Sequence, residues 1–184
     1  MPTSTIAEVC RAIEQNDDFP IIKDGSPVKW FNISCHAVNE GVNVRLIFIG
    51  DGYFASCKTF EIQGDDDFTD VAVWRRLGRL INNIPTLRRL ELRDRSSINA
   101  AAHPAVDCFQ ALYNELKNNN KIENLSIYPI NQLHPSFDLA YFMQNNSNIK
   151  DLSLGAAGQL TPEQANIVAT ALAGVQLRSL DILC

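Results

Sequence analysis

The sequence predicts an α/β fold, a solenoid with short parallel strands on its concave side and helices on its convex side, preceded by an N-terminal α+β cap. Two observations carry that prediction. The first is a recurring apolar spacing, x marking any residue between leucine-like positions: Leu87, Leu90 and Leu92 follow L-x-x-L-x-L, and the pattern returns as Ile122/Leu125/Ile127, Ile149/Leu152/Leu154 and Leu177/Leu180/Ile182. The intervals between units are 35, 27 and 28 residues, the length of one strand-plus-helix coil of a repeat protein. The second is a pair of apolar positions before each strand. Ten residues upstream stand Leu77, Leu112, Leu139 and Ile167, and six residues upstream stand Ile81, Leu116, Met143 and Ala171. Positions four apart share one helix face, so each unit reads as helix, turn, strand.

Taken in order, residues 4–15 read as a helix with Ile6, Val9, Cys10 and Ile13 on its apolar face and Thr5-x-x-Glu8 as a capping box, ended by Asn16-Asp-Asp18. Turn signals at Asp24-Gly25-Ser26-Pro27 and Asn39-Glu40-Gly41 separate strands at Val28–Ile33, Val42–Ile49 and Lys58–Ile62. Asp51-Gly52 and the residues to Cys57 form the loop of a hairpin. Val44, Ile47 and Ile49 keep the repeat's strand spacing, but no helix column stands upstream of them. Residues 1–66 are therefore expected to cap the array, with an independent small α+β domain as the rival arrangement, and residues 67–184 to hold about four repeats.

A helix is expected from Asp70 to Asn82, with Val73, Trp74, Leu77, Leu80 and Ile81 inward and Arg75, Arg76 and Arg79 outward. Asn83, Asn118 and Asn145 fall where helices end and tolerate the left-handed conformation, and Gly174 serves that purpose in the fourth unit. Pro104, and Ser136 or Pro135, are candidate helix starts; Thr161-Pro-Glu-Gln164 is a capping box with Pro at the first helical position; Pro129 ends its strand. The fourth strand is expected to leave its apolar edge open. That edge suggests either a fragment of a longer array, the favoured reading, or pairing with a partner or a second copy.

These columns resemble the leucine-rich repeat family in its long helical, ribonuclease-inhibitor-like subclass, over about residues 69–184. Eight residues after the first strand position the family has Asn or Cys, whereas this chain has Arg95, Ile130 and Ala157. The resemblance implies a non-catalytic scaffold that binds a protein partner on its concave face.

Composition narrows the classes further. The chain has 184 residues, 46% of them hydrophobic, and a net charge of −5, with a sequence pI near 5.1. This acidity argues against the whole chain being a nucleic-acid binder. No apolar run is long enough to span a membrane, and the first residues carry no secretory pattern. Five cysteines at positions 10, 35, 57, 108 and 184 form no framework spacing, which suggests reduced thiols in a cytoplasmic protein. The three N-x-S/T sequons, at Asn32, Asn124 and Asn145, read as incidental without a signal peptide.

Chemistry-bearing motifs are sparse. Cys35 and His36 are adjacent, so on a strand they face opposite ways; His103-Pro104 and His134-Pro135 read as turn residues; Gly64-Asp65-Asp66-Asp67 lacks the alternating ligands of a calcium loop. No phosphate loop, zinc spacing or hydrolase motif occurs, so no enzyme activity, metal or cofactor is expected. Residues between the inward leucines are expected on the concave face: Arg89, Glu91 and Arg93; Asn124, Ser126 and Tyr128; Asp151, Ser153 and Gly155; Ser179 and Asp181. Arg89, Arg93 and Tyr128 are the candidate anchors, and replacing Arg93 by Glu is expected to weaken partner capture without unfolding. A second candidate is an anion or nucleic-acid contact through Arg75, Arg76, Arg79 and Arg88, in a segment with seven basic and three acidic residues from 70 to 95.

Overall fold

A computed structural model describes residues 4–15, 28, 30–38, 41–50, 57–63, 69–94, 106–128, 138–156 and 159–183. The described elements are α1 (Ile6–Gln15), β1 (Trp30–Val38), β2 (Gly41–Ile49), β3 (Cys57–Gln63), α2 (Val71–Asn83), β4 (Arg89–Asp94), α3 (Val106–Leu116), β5 (Asn124–Tyr128), α4 (Leu139–Asn145), β6 (Asp151–Gly155), α5 (Pro162–Leu172) and β7 (Ser179–Leu183). Arg95, Pro104, Ile130 and Ala157, the two His-Pro pairs, Pro129 and the 64–67 run lie outside the described residues.

The seven strands form one mostly parallel sheet in the order β3-β2-β1-β4-β5-β6-β7. Strands β1 and β4 to β7 run parallel, while β2 is antiparallel to both β1 and β3. Register aligns equivalent side chains: Phe31, Leu90, Leu125, Leu152 and Leu180 fall in one column across five strands, and Ile33, Leu92, Ile127, Leu154 and Ile182 fall in the next. From β1 to β6 these residues are buried, because a period-two strand sends alternate side chains to one face and the helices cover that face. The core runs without interruption from Ile6 and Val9 in α1 to Val168 and Ala171 in α5. The N-terminal part thus shares its sheet and its core with the rest.

The same main-chain contact recurs at the starts of β5, β6 and β7. The Arg88 carbonyl accepts the N–H groups of Glu123 and Asn124, the Glu123 carbonyl those of Lys150 and Asp151, and the Lys150 carbonyl those of Arg178 and Ser179. The side chains at these three leading positions and Arg178 form a matching column. Glu123 lies 3.7 Å from Arg88 and 3.6 Å from Lys150.

Helix starts follow local chemistry. Thr161 and Gln164 close a capping box with Pro162 at its head. Thr5 and Glu8 bond reciprocally, Thr5 N–H to the carboxylate at 2.7 Å and Glu8 N–H to the hydroxyl at 3.2 Å. The Thr5 main-chain N–H, and after it the Thr5 hydroxyl, bond the Glu8 carboxylate and hold it below its usual range.

Several expectations are corrected. Phe31 and Ile33 of β1 align with Leu90 and Leu92, while Val44, Ile47 and Ile49, which match the strand spacing, do not share a face: Ile47 and Ile49 stand on the polar face and the buried residues of β2 are Val44, Leu46 and Phe48. Helix α4 is capped by Asp138, whose carboxylate accepts the Tyr141 N–H at 2.9 Å, rather than by Ser136 or Pro135. Helices α2 and α4 do end at Asn83 and Asn145, but α3 ends at Leu116, two residues before Asn118, and α2 exits through Ile84 in an extended conformation (φ −61°, ψ 113°); only Gly174, at φ 78°, takes the left-handed turn among the glycines described. In the last unit Ile167, Leu180 and Ile182 are 50%, 42% and 48% exposed. The inward column of β7 is thus half covered, whereas Phe60 and Ile62 on the other edge strand, β3, are buried.

The helix-to-strand turns carry an asparagine pattern that the sequence did not announce. Asn119 and Asn146, each three residues before a strand's first apolar position, are buried. Asn119 Oδ1 accepts the N–H groups of Lys121 and Ile122, and its amide donates to Asn82 Oδ1 at 2.7 Å. Lys121 Nζ donates to the Asn82 carbonyl at 2.8 Å, and the Asn146 amide donates to the Lys117 carbonyl at 2.6 Å. Asn148 donates to the Asn120 carbonyl. The turns before β5 and β6 are thereby each tied to the helix-to-strand turn that precedes them.

Candidate functional site

The face opposite the helices presents three rows of side chains. The first runs Ile49, Trp30, Arg89, Asn124, Asp151, Ser179; the second Thr59, Ile47, Asn32, Glu91, Ser126, Ser153, Asp181; the third Glu61, Arg45, Ser34, Arg93, Tyr128, Gly155. Every residue expected on this face is there. What the sequence reading lacked was its continuation over β1 to β3, which adds Trp30, Ile47, Asn32, Arg45 and Glu61. The signal was present in Val28-x-x-Phe31-x-Ile33, but α1 lies too far upstream to fall in the helix columns.

Charge on this face is largely matched internally. Arg45 Nε sits 2.5 Å from Glu61, Arg93 pairs with Glu91, and Arg178 pairs with Asp151. Glu91 is 4% exposed, so the Arg93 guanidinium is the counter-charge of a nearly buried carboxylate. Arg93 is therefore part of the fold as well as of the surface, and its replacement by Glu would set two carboxylates together, so that variant would not separate binding from folding. Arg89 is different. Its guanidinium rests 4.0 Å over the Trp30 ring, and both its Nε and the Trp30 indole N–H are buried without an acceptor. Tyr128 is 40% exposed and its ring lies across Gly155, where any Cβ would collide with it.

Beside Arg89 the sheet holds a shallow polar groove of about 230 Å³, lined by side chains of β4 to β7 that include Asn124, Ser126, Asp151, Ser153 and Asp181. The groove offers hydroxyls, an amide, a cation and carboxylates. Among the described residues no three His, Cys, Asp or Glu side chains converge as a metal site.

The arginines of the alternative site occupy other surfaces. Arg76 pairs with Glu14 of α1 at 2.5 Å, Arg79 with Glu115 of α3 at 3.2 Å and Arg88 with Glu123; Arg75 is exposed on α2. Three of these four cations already have carboxylates from other segments of the chain. Cys10 and Cys108 are buried thiols outside any disulfide, and burial pushes each up to about 11. At neutral pH they stay protonated and are poor nucleophiles.

The fold belongs to the α/β class, with a seven-stranded, mostly parallel sheet. Compared with known proteins, the chain matches no family model and no curated protein sequence. No helix among the described residues is long and apolar enough to cross a membrane.

Proposed function

We propose that this chain is a leucine-rich repeat solenoid acting as a non-catalytic, cytoplasmic scaffold that holds a protein partner on its concave strand face. The observation that carries the reading is the in-register sheet, which sets Arg89, Asn124, Asp151 and Ser179 in one row and Glu91, Ser126, Ser153 and Asp181 in the next. Such a face is wide and polar, and it is anchored by residue types favoured at interfaces, namely Trp30, Arg89 and Tyr128. The repeated Arg88, Glu123 and Lys150 carbonyl contacts and the aligned leucines support the coil-on-coil description. Internal pairing of Arg76, Arg79 and Arg88 favours this reading over an anion contact.

The test uses affinity capture with the 184-residue chain and two surface variants. Arg89→Ala/Tyr128→Ala is expected to lose a specific partner while keeping the parent's circular dichroism and melting temperature. Arg75→Ala, on the convex side, is expected to keep it. Equal capture by all three chains overturns the concave-face assignment.

A further inference from the structure

The concave groove leaves two charges unmatched, and their placement specifies a ligand. Among the arginines of this face, Arg45 and Arg93 each hold a carboxylate of the chain itself. Arg89 holds none among the described residues, and its Nε and the adjacent Trp30 indole N–H are buried donors lacking an acceptor there. A buried donor without an acceptor carries a desolvation cost that an incoming oxygen ligand can relieve. On the acidic side, Asp151 is engaged by Arg178 and Glu91 by Arg93, whereas Asp181 has no ion-pair partner among the described residues. Arg89 and Asp181 both line the groove, at opposite ends, on β4 and β7.

Three strand-to-strand steps separate β4 from β7. At about 4.8 Å per step that is about 14 Å, which an extended peptide at ~3.3 Å per residue covers in about four residues. The hydroxyls and amide of Asn124, Ser126 and Ser153 between the two ends suit the main-chain N–H and C=O groups of such a segment. We infer that the groove binds an extended peptide crossing the strands, with an Asp or Glu over Arg89 and a Lys or Arg about four residues away over Asp181. This rests on the concave-face reading and gives it a partner class. The acidic residue would pair with the guanidinium that already stacks on Trp30, in the bidentate geometry arginine favours.

The experiment is selection from a phage-displayed library of random heptapeptides on the folded 184-residue chain. Enriched sequences are expected to carry an acidic and a basic residue about four positions apart, in one fixed order. A parallel selection uses the charge-exchanged chain Arg89→Glu/Asp181→Lys, checked for unchanged circular dichroism, and is expected to enrich the opposite order. A fluorescent copy of a selected peptide is expected to favour its matched chain by about tenfold, the scale of two solvent-exposed ion pairs. Peptides that bind, are lost on Tyr128→Ala, yet show no charge order or ignore the exchange overturn this inference while leaving the concave face as the binding surface. Recovery of no binder also overturns it, and the partner-capture variants then judge the broader reading by themselves. Should the exchanged chain misfold, Arg89→Ala serves instead: it is expected to abolish the acidic preference alone, and retention of that preference counts against the assignment.

Discussion

Single residues fix the turns of this molecule, and the asparagines show how closely position matters. Asn118 and Asn119 are neighbours, yet the first is exposed and the second buried with three side-chain hydrogen bonds. Removing a buried amide that satisfies main-chain donors costs about 1–3 kcal/mol, whereas an exposed polar side chain costs less than about 0.5 kcal/mol. Urea unfolding of Asn119→Ala and Asn118→Ala is expected to separate by that margin. The buried thiols yield a pH prediction. Burial raises Cys10 and Cys108 to about 11, above the ordinary thiol value in the unfolded chain, so the unfolded state loses their protons first. Their contribution is whole below the unfolded value, falls as pH rises above about 9, and is lost by about 11. Thermal melts across that range are expected to show a steeper decline for the parent chain than for Cys10→Ala/Cys108→Ala.

At the scale of elements, α2 and α3 approach each other because Gly78 has no side chain. A Cβ there would meet Glu115 Cβ at 2.8 Å and the Leu112 carbonyl at 3.0 Å, atoms held by the α3 backbone. Gly78→Ala would ordinarily favour a helix interior. Here overpacking is expected to win and to destabilise by about 1–3 kcal/mol, measured by chemical denaturation; a gain in stability would show that α3 moves away at little cost. The pairs Arg76–Glu14 and Arg79–Glu115 join α2 to α1 and α3 and are exposed enough to add little. Apolar contacts such as Trp74 against Phe109, with ring centroids 5.2 Å apart, hold these helices.

Across the whole molecule, the two edges of the sheet differ: Phe60 and Ile62 of β3 are buried, while the inward residues of β7 are half exposed. Leu152 is buried within the sheet, while Leu180 occupies the same column on the edge strand and is 42% exposed. Leu152→Ala is expected to cost about 2–5 kcal/mol, and Leu180→Ala much less; equal losses in a denaturation experiment would mean that β7 is covered in solution. The apolar columns at 87–92, 122–127 and 149–154 were legible because burial on one face imposes a period of two on a strand and one near four on a helix. Tyr128, Asn124 and Asp151 were legible as their outward complements. Trp30 and Ile47 were not, since the strand that aligns with β4 is 59 residues earlier in sequence, from Phe31 to Leu90, and no local spacing ties the two.

The amino-acid sequence by itself determined the strand and helix periodicity, the caps at Thr5 and Thr161, and which side chains of β4 to β7 share a face, because each follows from local stereochemistry and the exclusion of apolar groups from water. Only the tertiary structure decided that β1 joins the same sheet beside β4, that Asn119 and Asn146 are buried, and that Arg93 pairs with Glu91 while Arg89 has no carboxylate partner among the described residues. Those outcomes depend on which distant segments lie side by side, since hydrogen bonding and charge pairing act through space over a few ångströms and are blind to separation along the chain.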